Sequence, residues 1–231
     1  MAQHVDTRVH FQAELARLEE QTLEALDMVS AALARVMEAL HHQDIELAAL
    51  VILEDDRIDG RYLEVQQGIL SMLARQAPVA SDLRLVAGLL HVIRHAERMG
   101  DQCVNVAKLI PLSGHEPPVR EEILSKLVQM GQHARAEVLQ CKRAFRERDA
   151  AMAEDLVLRD GDVNRLNREI FRLAIDAGDD ADTREWAMMM TLVARAFERV
   201  GDNAVDIGEQ TAFVVTGLFR EFSDSSHPMP S

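Results

Sequence analysis

Glu97, Asp101 and Asn105 recur at four-residue intervals within HAERMGDQCVNVA, residues 95–107, with Gly100 between the two acids. On a helix this spacing stacks both carboxylates on one face, where like charges repel unless something positive joins them. Measured from Glu97 on an ideal helix, Asp101 lies about 40° away, Leu90 and Val104 about 20° to either side, and Arg94 about 60°. The acids thus share their face with apolar residues. A carboxylate in such a setting requires a partner, or it protonates.

The pattern returns at a constant offset of 101 in FERVGDNAVDIG, where Glu198, Gly201, Asp202 and Asp206 match Glu97, Gly100, Asp101 and Asn105, and Arg195 matches Arg94. A second repeat, at an offset of 105, relates LEDDRID to LRDGDVN and aligns Asp55 with Asp160 and Asp59 with Asn164. Helical spacing places Asp55 and Asp59 among Val51, Ile52, Ile58 and Tyr62, and Asp160 and Asn164 beside Leu156, Val157 and Val163. Both pairs are expected to face inward, so that each half of the chain brings acids from two helices together.

Two chemistries fit these residues. Arg94 and Arg195, three residues before the glutamates, could form ion pairs that orient the helices. Alternatively, a hard cation such as magnesium, manganese, calcium or ferric iron could be held by carboxylate and amide oxygens. Gly100 and Gly201 each cost roughly 1 kcal/mol inside a helix, which points to close approach of another helix or a ligand. His91 and His95 have zinc-like spacing, but they project about 120° and 160° away from Glu97. His41 and His42 suit the C-terminal end of a helix dipole. Cys103 and Cys141 lie outside any CxxC pattern and read as buried thiols.

No Gly-rich phosphate loop, nucleophile elbow or HExxH motif occurs, and glycine follows each glutamate where a di-iron oxidase needs histidine. A non-catalytic protein is expected; a carboxylate-bridged phosphatase or oxidase and a metal-free structural dimer are the competing readings.

The elements that position these residues follow from composition and periodicity. Leu, Ala, Glu and Arg dominate, with 11 Gly and 6 Pro in 231 residues, which favours an all-α protein. Apolar spacing predicts six helices: 7–42, 44–75 with Asp44 as N-cap, 79–110, 119–148, 149–177 and 183–219. The turn-rich segment Pro111–Pro118 divides the chain. The expected architecture is two tandem, sequence-related antiparallel three-helix bundles at 1–112 and 118–219, followed by a disordered tail at 220–231.

A formal charge of −14, from 25 basic and 39 acidic residues, opposes contact with nucleic acid or anionic lipid. One Trp and one Tyr provide few stacking platforms for bases. The N-terminal segment has no signal-like apolar run, and no stretch approaches a membrane span, so a soluble cytoplasmic protein is expected.

RQAPVASDLR from Arg75, AERMGDQCVNVA and FERVGDNAVDIGEQTAFVVTG resemble the PhoU family of phosphate-transport regulators, in order and over nearly the whole chain. The resemblance implies two three-helix bundles, a homodimer, and metal ions, among them iron, zinc, manganese or magnesium, at acid-x-x-x-acid motifs. It implies ligand roles for Asp55, Asp59, Glu97 and Asp101 in the first half, and for Asp160, Glu198 and Asp202 in the second. Asn164, a neutral oxygen in place of aspartate, would weaken or vacate the second site, while Asn105 and Asp206 would be auxiliary. The implied partners are the ATPase of the phosphate-specific ABC transporter and the phosphate-system sensor histidine kinase. Membrane contact would occur only through them, and both would be restrained when phosphate is plentiful.

Overall fold

The computed structural model describes residues 2–114 and 116–222, with side chains from residue 8 onward. Among them there is no strand. The helices, in order, are α1 (Ala2–His42), α2 (Ile45–Arg75), α3 (Ala80–Leu112), α4 (Glu121–Glu147), α5 (Ala150–Glu154), α6 (Leu156–Ile175) and α7 (Ala181–Thr216). Helices α1, α2 and α3 pack together as one set, and α4, α6 and α7 as the other; α5 lies against α7 and α4.

The joints show how sequence sets topology. Helix α1 ends at Gln43, held at φ 52, and α4 ends at Arg148, held at φ 57. Such a left-handed turn costs a non-glycine residue roughly 1–2 kcal/mol, and side-chain contacts offset that cost. Gln43 Nε2 donates to Ile110 O at 2.7 Å and Gly114 O at 2.8 Å, and Arg148 pairs with Glu19 at 2.7 Å. The next residue in each case is an aspartate N-cap. Asp44 Oδ1 accepts from Leu47 N, and Asp149 Oδ1 accepts from Met152 N, both at 2.9 Å.

Helix bounds differ from the sequence expectation by a residue or two at several ends, among them that of α3, which runs through Pro111 to Leu112, and by more at three places. Helix α1 begins at Ala2 rather than Thr7, because no Gly or Pro interrupts the polar residues before Thr7. The segment expected as one helix over 149–177 is broken into α5 and α6 at Asp155. There Gln140 Nε2 donates at 2.9 Å to Met152 O, the carbonyl that an unbroken helix offers to Leu156 N. Helix α7 stops at Thr216 because Gly217 adopts φ 75 and returns its N–H to Phe213 O at 2.8 Å. Phe219 then folds back and stacks on Phe213 with centroids 4.0 Å apart. Of the expected tail, Arg220–Phe222 lie alongside α7, where Phe222 N donates to Glu209 Oε1 at 2.6 Å; residues 223–231 lie outside the described set.

The two helix sets share one core. Its members run unbroken from Phe11 in α1 to Val214 in α7. Helices α3 and α7 lie side by side at the centre, and α1 packs on α4. A Cβ on Gly88 would stand 2.6 Å from Val214 Cγ2, and one on Gly131 would stand 2.3 Å from Met37 Sδ, so both glycines let helices of opposite halves approach. Arg146 pairs with Glu20 at 2.9 Å, and Lys142 with Asp27, along the rim of α1 and α4. No helix of the described residues is long and apolar enough to cross a membrane.

Candidate metal centre

In the first half, the seam between α2 and α3 gathers the acids. Gly100 is the reason they can meet: a Cβ there would stand 2.8 Å from Asp55 Oδ1 and 3.1 Å from Ile58 Cδ1. Asp55 is half-buried, and its pKa is raised to about 6 by desolvation and then by the charges of Asp59, Asp101 and Glu97. Glu97 is also raised, by burial first, against the pull of Arg94.

Arg94 Nη1 donates to Glu97 Oε1 at 2.9 Å while its guanidinium lies 5.4 Å from the Tyr62 ring centroid. Glu97 Oε2 remains buried with no hydrogen-bond partner among the described residues. The ion-pair chemistry is therefore present, yet it occupies one oxygen of one acid. Asp59 and Asp101, expected to face inward, are exposed instead. They stand at the solvent-facing rim of the seam. Asn105 is exposed as well, one turn further along, with its amide directed to Gln102.

The second half repeats the plan with a deeper floor. Asp160 is 1% exposed and Asn164 5%. Asn164 Nδ2 donates to Asp160 Oδ2 at 2.5 Å, so the amide turns a donor, not its oxygen, toward the acid. Glu198 pairs with Arg195, as Glu97 does with Arg94, and Asp202 lies exposed at the rim. Asp206 is drawn away from this group. Its carboxylate stands 3.5 Å from His95 Nδ1, across the α3–α7 seam, and the same ring nitrogen lies 2.8 Å from Asn203 Oδ1. His95 thus serves the joint between the halves and points away from Glu97.

One residue of this site escaped the sequence reading. Glu137 of α4 is 0% exposed and approaches Gly201, where a Cβ would stand 2.8 Å from its Oε2 and 2.6 Å from Asp160 Oδ1. Desolvation, followed by the charge of Asp160, pushes its pKa up to about 9, against a weaker opposing pull from Arg159. The available signal was an acid on an apolar stripe: Ala134, Val138 and Cys141 surround Glu137 on the helical wheel. Cys103 and Cys141 are both buried free thiols whose ionisation burial suppresses.

Comparison with known proteins matches the two helix sets. A family model described as the PhoU domain matches residues 22–110 and again 127–211, one copy over each helix set. The chain belongs to the PhoU family. It is 29% identical over 222 residues to the phosphate-specific transport system accessory protein PhoU homolog of Clostridium acetobutylicum, covering 94% of this chain and 100% of the relative. To the PhoU homolog 1 of Thermotoga maritima it is 30% identical over 217 residues, 93% of either chain. The crystal structure of the phosphate transport system regulatory protein PhoU from Streptococcus pneumoniae superposes with a TM-score of 0.80 at 26% identity, covering 91% of this chain and 99% of the other. PhoU from Pseudomonas aeruginosa gives the same score and identity, with 90% and 100% covered.

Among the described residues no three His, Cys, Asp or Glu side chains stand together in a group that could hold a metal ion. Taken residue by residue, the donors of the two seams are nonetheless of the type that suits a hard cation. Each seam has a glycine cradle that a Cβ would fill. In each, a buried carboxylate oxygen lacks a hydrogen bond: Glu97 Oε2 in the first, and both oxygens of Glu137 in the second. All donors are oxygens, which suits hard cations.

Proposed function

We propose that this chain is a non-catalytic, cytoplasmic accessory regulator of phosphate uptake, acting as a homodimer. When phosphate is plentiful it restrains the phosphate-specific ABC transporter through its ATPase and keeps the associated sensor histidine kinase in its signalling-off state. The observation that carries this reading is the PhoU-domain match over both helix sets, together with whole-chain relatives named as accessory proteins of phosphate-specific transport systems. Contact with the membrane would be made through those protein partners, by helix-face docking.

The reading includes metal ions at the acid motifs. Asp55, Asp59, Glu97 and Asp101 would hold one group, and Asp160, Glu198 and Asp202, with Asn164, the other. A bound cation would supply the positive charge that the stacked carboxylates lack and would stiffen the seams that carry them. Asn105 and Asp206 stand apart from both acid groups.

A deletion strain tests the function. Loss of the gene is expected to release phosphate-responsive gene expression and phosphate uptake at high external phosphate, with the parent gene restoring control. Normal repression in the deletion strain would overturn the reading. Complementation with Glu97→Ala and Asp101→Ala, alongside elemental analysis of the purified chains, is expected to show metal lost from the variants; equal metal content would remove the first group from the proposal.

A further inference from the structure

The second acidic group contains a carboxylate that the repeat does not account for. At the offset of 105 that relates α2 to α6, and that also relates the paired left-handed residues Gln43 and Arg148, Glu137 corresponds to Ala32. Beside Asp55 in the first half, Ala31 and Ala32 help to line a cleft of about 240 Å³ together with Arg35 and Ile58. In the second half, the equivalent position carries Glu137, whose Oε2 reaches toward Gly201.

A compensating loss stands nearby, since Asn164 occupies the position equivalent to Asp59. Each half thus has four carboxylates: Asp55, Asp59, Glu97 and Asp101 on two helices, against Glu137, Asp160, Glu198 and Asp202 on three. The acid absent from α6 reappears on α4, moved from the rim to the floor.

The floor is a costly place for a carboxylate. Glu137 is fully buried, and neither Oε1 nor Oε2 has a hydrogen-bond partner among the described residues. Arg195 is engaged with Glu198, and Arg159 is exposed on α6. A buried acid so placed is neutralised by a proton or by a cation. Its Oε2 and Asp160 Oδ1 both reach the space that Gly201 leaves open, 2.8 and 2.6 Å from the position of a Cβ there.

We infer that Glu137 is a cation ligand supplied by α4, so that the second half takes a hard divalent cation in a deeper, three-helix site than the two-helix site of the first. This rests on the metal-binding part of the proposed function. Oxygen-only donors favour manganese or magnesium over softer ions.

Manganese chloride titrated into the full, chelator-treated chain, with free ion followed by electron paramagnetic resonance, tests the assignment. In a chain whose first group is silenced by Asp55→Asn and Glu97→Gln, manganese binding is expected to persist, and adding Glu137→Gln is expected to weaken it by at least tenfold. Unchanged affinity would overturn the inference and assign Glu137 to a shared proton instead. Absence of binding in the silenced chain would overturn it too. In that event, manganese bound by the reciprocal chain carrying Asp160→Asn and Asp202→Asn would preserve the broader metal proposal, whereas no binding by either would remove both.

The reverse transfer provides a control independent of how well the Gln variant folds. Ala32→Glu, placed in the reciprocal chain, is expected to tighten manganese binding by the first group, and no change would count against α4 as the source of depth.

Discussion

Asp55 and Glu97 show how far a residue's role is readable from spacing, and Glu137 shows where that stops. Four-residue intervals and their recurrence placed Asp55, Glu97, Asp160 and Glu198 on the seams, because a helix turns by a fixed angle per residue. The same geometry could not separate floor from rim: Asp59 and Asp101 proved exposed, since exposure depends on what the neighbouring helices cover and not on spacing along one helix. Glu137 was hidden because the repeat offers no matching acid in α1, where Ala32 stands at its offset, and because the groups it faces come from α6 and α7. A pH prediction belongs here. Burial raises Glu137 from an ordinary 4.5 to about 9, so between those values the folded metal-free chain binds a proton that the unfolded chain has released. Stability contributed at this position is present below the lower value and declines as pH rises toward the upper one. In thermal melts of metal-free protein, Glu137→Gln is expected to gain in Tm over the parent as pH climbs through that window. A constant difference would mean that Glu137 ionises normally.

At the scale of elements, sequence punctuation was clear wherever the signal was local. Asp44 as N-cap and the link carrying Pro78 stand where expected, whereas the turn between the halves begins only at Ser113, after α3 has run through Pro111 to Leu112. The break between α5 and α6 was not legible, because its cause is a hydrogen bond from Gln140 on another helix. Once broken, α5 sits tightly on α7: a Cβ on Gly208 would stand 2.9 Å from Leu156 Cδ1 and 3.0 Å from Ala153 O. A backbone carbonyl cannot rotate away as a side chain does. Gly208→Ala is therefore expected to lose about 1–3 kcal/mol through overpacking, more than the roughly 1 kcal/mol of helix propensity it recovers. Gly161→Ala, on α6 with no atom within 4 Å of the added carbon, is the matched control and is expected to stabilise by up to about 1 kcal/mol. Urea unfolding of the two variants distinguishes packing from propensity; equal gains would show that α5 is loosely seated.

For the whole molecule, the duplicated plan was evident before the structure, but the fusion of its halves was not. Amphipathic helices announce one buried face each, whereas α3 and α7 bury residues toward their own bundle and toward each other. Because one core runs through both halves, they are expected to unfold together. Trp186, the single tryptophan, is buried in α7 and reports the second half, while far-ultraviolet circular dichroism reports all helices. Coincident urea midpoints by the two probes are expected, and separated midpoints would mean that the halves are independent domains. The left-handed residues Gln43 and Arg148 stand at equivalent joints. They are followed by the same aspartate cap, yet they share neither charge nor shape, and the residues before them, His42 and Glu147, differ as well. The joint is thus specified by the backbone turn and its aspartate cap, and it tolerates unlike side chains at the left-handed position itself.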